Sequence, residues 1–353
     1  MAESYVIGVD FGSDSVRVLI VNTETGENVG QGVACYPRWK AGLYQHPEHS
    51  IFRQHPLDYL ESLEKCITTA LAELTEEQKD HVIGIGVDTT GSTPVPVDKN
   101  GTPLALLDEF AENENAMFFL WKDHAAAAEA DEINKLFRNN SENDYTKYQG
   151  DYSAEWYWAK ILYAVRHDEA IRQAAYTWEE HCDWMTGILC GETRPEKIYH
   201  SACAAGHKAL WHSEWNGLPA ASVLEQLDPY LVQVRERYGN APQPSTVKVG
   251  TLCPEWAKKL GLKESTVISG SSFDAHAGAV GAGIQKKTFV CTMGTSCVDM
   301  FVEKPENLKG KDIQAYCGQA ENSILPGYVG VETGQAAFGD IFAWFKRLLE
   351  WPL

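Results

Sequence analysis

The sequence lacks long apolar runs and an excess of positive charge, and each absence excludes a class of function. No apolar run approaches the ~20 residues of a membrane-spanning helix, and the N-terminal segment has no signal-peptide pattern. The formal net charge of −19 argues against a surface for nucleic acid or an anionic membrane. The nine cysteines are scattered, without a Cys-x-x-Cys pair or metal-ligand spacing. They predict reduced thiols in a cytoplasmic protein.

The 353 residues, 44% of them apolar, are enough for two globular domains with their own cores. We place the boundary near Gly283, which gives a first domain over residues 1–283 and a second over residues 284–353. A nucleotide bound to so acidic a chain needs Mg²⁺, backbone N–H groups and a few basic side chains to offset the charge. The eleven tryptophans either wall a carbohydrate-type site or simply pack the core.

The N-terminal sequence YVIGVDFGSDSVRVLIV, residues 5–21, predicts a strand, a Gly-Ser turn and a returning strand. We expect strands at residues 5–9, 16–21 and 29–34. Asp10 at the end of the first strand could hold Mg²⁺, and the turn could cradle phosphate oxygens. An antiparallel return directly after Asp10 argues against a Rossmann unit, which would enter a helix. An ordinary hairpin with a polar turn is the alternative.

A similar pattern recurs in TFVCTMGTSCVDMFV, residues 288–302. Gly12 and Ser13 of the first hairpin correspond to Gly294 and Thr295 of the second. Two such hairpins suggest a duplicated architecture in which each half offers one loop to a shared nucleotide. Two short matches can also arise by chance, because hairpins share alternation and turn glycines.

Between the hairpins, residues 57–74 have helical spacing, and residues 82–87 predict a buried strand that ends in the polar cluster DTTGS, residues 88–92. Open α/β sheets place ligands at such strand ends. Residues 35–56 predict a long loop that could serve as a lid. Helical patterns dominate residues 112–186, and residues 199–215 predict a second loop.

Three polar side chains outside the hairpins are candidates for chemistry. Asp274 opens a helix of small residues and could take a proton from an alcohol, or simply cap the helix. Lys208, in the second loop, could contact substrate hydroxyls or phosphate charge, or be solvated surface. Glu332 follows a strand and could contact substrate, with Gly334 near a nucleotide, or cap the next helix. We interpret His207 and His276 as core or supporting residues.

Together these segments resemble the FGGY family of carbohydrate kinases, within the actin/hexokinase-like ATPase superfamily. The resemblance rests on GVDFGSDSVR, GSSFDAHAGAVGAG and CTMGTSCVD, in the family's order, and covers essentially the whole chain. DTTGSTPVPVD, SACAAGHKALWH and VETGQAAFGDIFAWF resemble the ribulokinase branch. The fold implied is α/β, with a ribonuclease H-like motif, a complete first domain and an incomplete second one.

The resemblance also implies the chemistry. The reaction would be ATP-dependent phosphorylation of the terminal hydroxyl of L-ribulose, or a related 2-ketopentose, to L-ribulose 5-phosphate in L-arabinose catabolism. Asp274 would be the general base, and Asp10 would engage Mg²⁺ directly or through water. The phosphates would be lined by Ser13, Asp14, Ser15 and Arg17, the sugar would contact Gly91, Ser92, Lys208, Asp274 and Glu332, and the nucleotide would face Thr295 and Gly334.

The sequence departs from the family at its end. It stops at Leu353, and the family's glycine-rich adenosine-binding segment has no counterpart. We therefore expect a truncated second domain with exposed core surface. A sugar-binding protein without turnover and an actin-like ATPase without a sugar substrate are the competing hypotheses. A homodimer is one expected assembly.

Overall fold

The computed structural model describes residues 3–294, 297–308, 311, 316–335 and 337–351, and for Asp340 only the backbone. The strands are β1 Tyr5–Phe11, β2 Ser15–Asn22, β3 Asn28–Cys35, β4 Gln45–His46, β5 Ile51–Gln54, β6 Val82–Thr89, β7 Pro94–Val97, β8 Phe118–Phe119, β9 Thr177–Glu180, β10 Lys248–Thr251, β11 Val267–Ser269, β12 Ser272–Phe273, β13 Val290–Met293, β14 Cys297–Glu303, β15 Gly318–Glu321 and β16 Val329–Gln335.

The helices, apart from short 3₁₀ turns, are α1 Pro37–Lys40, α2 Pro56–Leu71, α3 Glu76–Asp80, α4 Ala127–Arg138, α5 Tyr157–His167, α6 Glu169–Ala174, α7 His181–Cys190, α8 Ala202–Lys208, α9 Ala221–Leu227, α10 Pro229–Glu236, α11 Pro254–Leu260, α12 Asp274–Gly281, α13 Pro305–Leu308 and α14 Gly339–Glu350.

The first sheet has the strand order β10-β11-β6-β1-β2-β3, and β12 also pairs with β6. The predicted three-strand meander is confirmed, because β1 pairs antiparallel with β2 and β2 with β3. Apolar side chains alternate along β1 and are buried on one face, so the hairpin is held by the core. β1 pairs parallel with β6, and this register places Asp10 opposite Asp88.

The second sheet has the order β13-β14-β16-β15 and is antiparallel. Its hairpin β13–β14 confirms the second hairpin expected from the sequence. β16 lies in the middle of the sheet, and its register places Glu332 opposite both Met300 and Gly318. The small core cluster under this sheet includes Ala279 of α12, which ties the sheet to the helix that follows β12.

Most of the chain packs into two large cores, one under the first sheet and one among the helices of residues 127–236. Trp158, Trp178 and Trp184 are fully buried there, which supports the packing interpretation for these three tryptophans. All nine cysteines are free thiols. Within the described ranges no helix is long and apolar enough to cross a membrane.

Three sequence-based assignments need correction. Lys208 lies at the end of a helix, α8, and not in a loop. Glu332 lies within β16 and does not follow it. The predicted long loop at residues 35–56 contains α1, β4 and β5.

α14 exposes a row of apolar side chains, among them Phe342, Trp344 and Leu349.

Candidate active site

A cavity of about 670 Å³ opens between the carboxyl edge of the first sheet and the second sheet. Several separate pieces of chain line it: the β1–β2 turn, the end of β6, the start of α12, residues of β13, β14 and β16, and the side chains of Trp121 and Lys208. Parallel strands bring their carboxyl ends to one edge of a sheet, so residues distant in sequence meet here.

The β1–β2 turn is held in place from several sides. The Gly12 N–H donates to the Ser15 carbonyl at 3.0 Å. The Ser13 hydroxyl accepts from Trp121 Nε1 at 2.8 Å, and the Ser13 carbonyl accepts from Gln54 Nε2 at 2.7 Å. A turn braced in this way presents a fixed set of polar groups to the cavity, as a phosphate-binding loop requires.

Asp10, Asp88 and Asp274 place three carboxyl groups on one side of the cavity. Arg17 Nη1 lies 3.1 Å from Asp10 Oδ2 and offsets part of this charge. Burial raises the pKa of Asp88 well above its usual range, and the charges of Asp10 and Asp274 raise it further. The cluster therefore favours a cation or a proton.

Asp274 begins α12 directly after the short strand β12, which pairs with β6. Its Oδ1 accepts from the Ala275 N–H at 2.6 Å. Burial raises the pKa of Asp274 to about 6, although the Ala275 N–H opposes the shift. The position before the helix belongs to Phe273, so Asp274 is not the N-cap residue. Near neutral pH Asp274 is ionised and able to accept a proton.

A buried ion pair also lines the cavity. Lys208 Nζ donates to Glu332 Oε1 at 3.1 Å, and both side chains are at least nine-tenths buried. Burial disfavours the charge on Glu332, but Lys208 and then His276 outweigh it and hold the pKa of Glu332 well below its usual range. Burial likewise opposes the charge on Lys208, yet Glu332 raises the pKa of Lys208. The surface interpretation of Lys208 is therefore wrong.

The Gly91-Ser92 turn shows why glycine stands at position 91. A Cβ added to Gly91 would overlap the ring of Phe273, the residue before Asp274. The Ser92 hydroxyl points the other way and donates to buried Glu180, whose other oxygen accepts from the Thr93 N–H at 2.9 Å. Lys160 Nζ donates to the Ser92 carbonyl at 2.7 Å. Buried polar side chains thus hold this turn from behind.

The cavity brings together most of the residues expected at the site. Those that line it are Asp10, Ser13, Asp14, Arg17, Gly91, Lys208, Asp274 and Glu332. Ser15 and Ser92 are buried behind the wall, and Gly334 is exposed outside the cavity lining. Thr295 lies outside the described residues, whereas its neighbour Gly294 lines the cavity.

Sequence reasoning gave Asp88 no role of its own within the cluster at residues 88–92, interpreted His276 as core or supporting, and missed Trp121; all three line the cavity. Asp88 had a usable signal, because it begins the polar cluster at the end of a buried strand. His276 stands two residues after Asp274 on the same helix. Trp121 carried no local signal, since its hydrogen bond to Ser13 joins distant segments.

The carboxyl cluster fits a hard divalent cation. Asp10, Asp88 and Asp274 offer only oxygen donors, which Mg²⁺ prefers. A divalent ion would also relieve the repulsion that shows in the raised pKa of buried Asp88.

Solved structures of sugar kinases share the architecture. The xylulose kinase from Rhodospirillum rubrum matches with a TM-score of 0.74 at 18% identity, over 98% of this chain and 63% of that one. The glycerol kinase of Plasmodium falciparum with ADP matches with a TM-score of 0.75 at 14% identity, over 98% and 63%. The likeness shows the actin/hexokinase-like ATPase fold.

Two curated relatives are named ribulokinase. The protein from Vibrio parahaemolyticus is 48% identical over 99% of this chain and 62% of its own length. The protein from Shouchella clausii is 35% identical over 97% of this chain and 60% of its own length. The chain therefore spans about three fifths of these relatives.

Two family models divide the chain between them. The N-terminal domain of the FGGY carbohydrate kinases matches residues 5–281, and the C-terminal domain matches residues 289–351. These matches cover the first and second sheets and every described residue that lines the cavity. The chain belongs to the FGGY family of carbohydrate kinases.

Proposed function

We propose that this chain carries the sugar and phosphate site of an ATP-dependent kinase that phosphorylates the terminal hydroxyl of L-ribulose. The product would be L-ribulose 5-phosphate, within L-arabinose catabolism. The observation that carries the proposal is one cavity lined by Asp274, the Ser13 turn and the Lys208–Glu332 pair. The names of the two relatives support the choice of sugar.

Asp274 acts as the general base. Its carboxylate accepts the proton of the sugar's terminal hydroxyl as that oxygen forms a bond to the γ-phosphorus. The bond from this phosphorus to the bridging oxygen breaks, and ADP leaves. A pKa of about 6 keeps Asp274 ionised near neutral pH while leaving it basic enough to take the proton.

ATP would supply the phosphoryl group, and Mg²⁺ would offset its negative charge. Asp10 and Asp88 are the carboxylates available to hold Mg²⁺, directly or through water. Ser13, Asp14 and Arg17 line the same wall as Asp10. Their fixed turn would orient the phosphates without reorganisation during transfer.

Lys208 and Glu332 would fix the sugar. The Lys208 ammonium donates hydrogen bonds and the Glu332 carboxylate accepts them, so the pair can hold two adjacent hydroxyls of opposite hydrogen-bonding role. Both side chains already bind each other in a buried setting, so their positions are set before the sugar arrives. Gly91 lines the same cavity, and its lack of a side chain lets the Phe273 ring pack against it.

A coupled ADP-release assay tests this function. It compares this chain with a version extended at residue 353 by the remaining C-terminal residues of the Vibrio parahaemolyticus relative, each with and without L-ribulose. We expect the extended protein to release ADP only when L-ribulose is present. Asp274→Asn in the extended protein is the control for the chemical step.

The outcomes separate the hypotheses. Calorimetric binding of L-ribulose by both proteins without ADP release from either would support a sugar-binding protein and overturn the kinase. ADP release that does not depend on sugar would support an actin-like ATPase. A homodimer and a cytoplasmic location remain predictions. Analytical sedimentation measures whether the protein is a homodimer.

A further inference from the structure

A buried lysine binds two separate segments of the cavity wall from behind. Lys160 lies on α5 and is fully buried. Its Nζ donates to the Ser92 carbonyl at 2.7 Å, and to the carbonyls of Leu120 and Phe119 at 2.9 and 3.3 Å. The Trp121 carbonyl lies 3.5 Å away. An ammonium group has three N–H donors, so it can bind both segments at once.

Each of the two segments carries a residue that lines the cavity. Gly91 belongs to the first segment and Trp121 to the second. Trp121 Nε1 also donates to the Ser13 hydroxyl at 2.8 Å, so the second segment is attached to the proposed phosphate turn. Lys160 therefore connects the turn proposed to contact the sugar with the turn proposed to bind phosphate.

The first segment is held from both sides by buried groups of opposite hydrogen-bonding role. Glu180 accepts from the Ser92 hydroxyl and from the Thr93 N–H, while Lys160 donates to the Ser92 carbonyl. Burial lowers the pKa of Lys160 to about 7, and the carboxyl groups of Glu155 and Glu180 oppose this shift. Below neutral pH the ammonium therefore supplies all three donors.

We propose that Lys160 is a positioning residue that sets the spacing between the Gly91-Ser92 turn and the Ser13 turn by binding carbonyls of both wall segments. The inference rests on the proposed function, because the sugar hydroxyl and the γ-phosphate must be brought into line for transfer. Hydrogen bonds from a charged donor are stronger than those between neutral groups, so one ammonium is an effective link.

The L-ribulose affinity of this chain, measured by calorimetry at pH 6, tests the proposal. Lys160→Met keeps a side chain of similar length and removes its donors. We expect it to weaken binding by about tenfold, because the two segments lose the group that sets their spacing. Leu162→Ala is the matched control, since it removes buried packing from the same helix and no donor. It should change affinity by less than about twofold, and equal losses in both variants would overturn the proposal.

The Trp121 indole gives a readout that does not depend on the sugar. Its Nε1–H signal is assigned by NMR with Trp121→Phe, and it should shift and exchange faster with water in Ser13→Ala, which lacks the acceptor. We expect Lys160→Met to change the signal in the same direction and Leu162→Ala to leave it as in wild type. An unchanged signal in Lys160→Met would show that Lys160 does not position the Ser13 turn, and the proposal would be wrong.

The two measurements separate this proposal from the proposed function. If wild type binds no L-ribulose, the proposed function fails, and the indole signal alone decides the role of Lys160. If Lys160→Met does not fold, Glu180→Gln is compared with the double variant Lys160→Met/Glu180→Gln, in which no buried acid has lost its cation. Weaker binding and an altered indole signal in the double variant support the proposal, and identity with Glu180→Gln refutes it.

Discussion

Asp10 and Asp88 are paired across the parallel strands β1 and β6, so two carboxyl groups meet at one edge of the sheet. Asp88 is the more buried of the two, and its pKa is raised well above its usual range by burial and by its neighbours Asp10 and Asp274. An acid whose pKa is higher in the folded state than in the unfolded state destabilises the fold once pH exceeds its unfolded value.

Replacing Asp88 by Asn should therefore stabilise the protein in EDTA at pH 7, by about 2 °C in Tm. The same change should reduce the increase in Tm that Mg²⁺ produces in wild type, because one oxygen ligand is lost. Differential scanning calorimetry with and without Mg²⁺ measures both effects. Asp131→Asn on the exposed side of α4 is the matched control, and an equal response from it would contradict the explanation.

The proposed base predicts a pH profile. In the extended protein, kcat/KM should rise as pH passes through about 6 and level off above it, because Asp274 must be ionised to accept a proton. Asp274→Asn should lower kcat by at least ~100-fold while L-ribulose affinity, measured by calorimetry, changes little. Near-normal turnover in this variant would remove Asp274 from the mechanism.

Lys160 is fully buried, and its ammonium donates to the carbonyls of Ser92 and Leu120 at 2.7 and 2.9 Å. Lys160→Met should lower the free energy of unfolding by about 3 kcal/mol, since it leaves the buried carboxyl group of Glu180 without its cationic neighbour. Urea denaturation measures the loss.

Two comparison variants make the Lys160 result specific. Lys135→Met on the exposed face of α4 should change stability little. Lys160→Met combined with Glu180→Gln should recover part of the loss, because the buried acid that Lys160 stabilises is then replaced by a neutral amide. A double variant as unstable as the sum of its parts would show that Lys160 and Glu180 are energetically independent.

Gly91→Ala should destabilise the protein by about 2 kcal/mol, because the added methyl overlaps the Phe273 ring in a packed wall. Displacement of Phe273 should also weaken L-ribulose binding, since Asp274 follows directly. Thermal unfolding and calorimetry report the two effects. Gly281→Ala is the control. Gly281 lies in helix α12, and a Cβ added there would meet no atom within 4 Å.

Local patterns were sufficient for part of the fold. The alternation around Asp10 predicts β1 and β2, and the small-residue run after Asp274 predicts α12, because each depends on a few consecutive residues. α8 was missed because it is buried on every side, so its small residues show no amphipathic period. A buried helix of that kind resembles a loop in sequence.

The site depends on contacts that no local pattern encodes. Asp88 reaches Asp10 through strand register, and His276 reaches Glu332 through the packing of α12 against the second sheet. Both pairs are far apart in sequence. Only the family resemblance connected Lys208 with Glu332 in advance, and it did not include His276.

The position of Glu332 has a consequence for recombination between related kinases. Lys208, which binds its Oε1, comes from the region before residue 283, and the carboxylate comes from the second sheet. A chimera that exchanges only the first region would inherit Lys208 and His276 from one parent and their acidic partner from the other. Such hybrids would keep the buried ion pair only when the parent of the second region carries an acid at position 332.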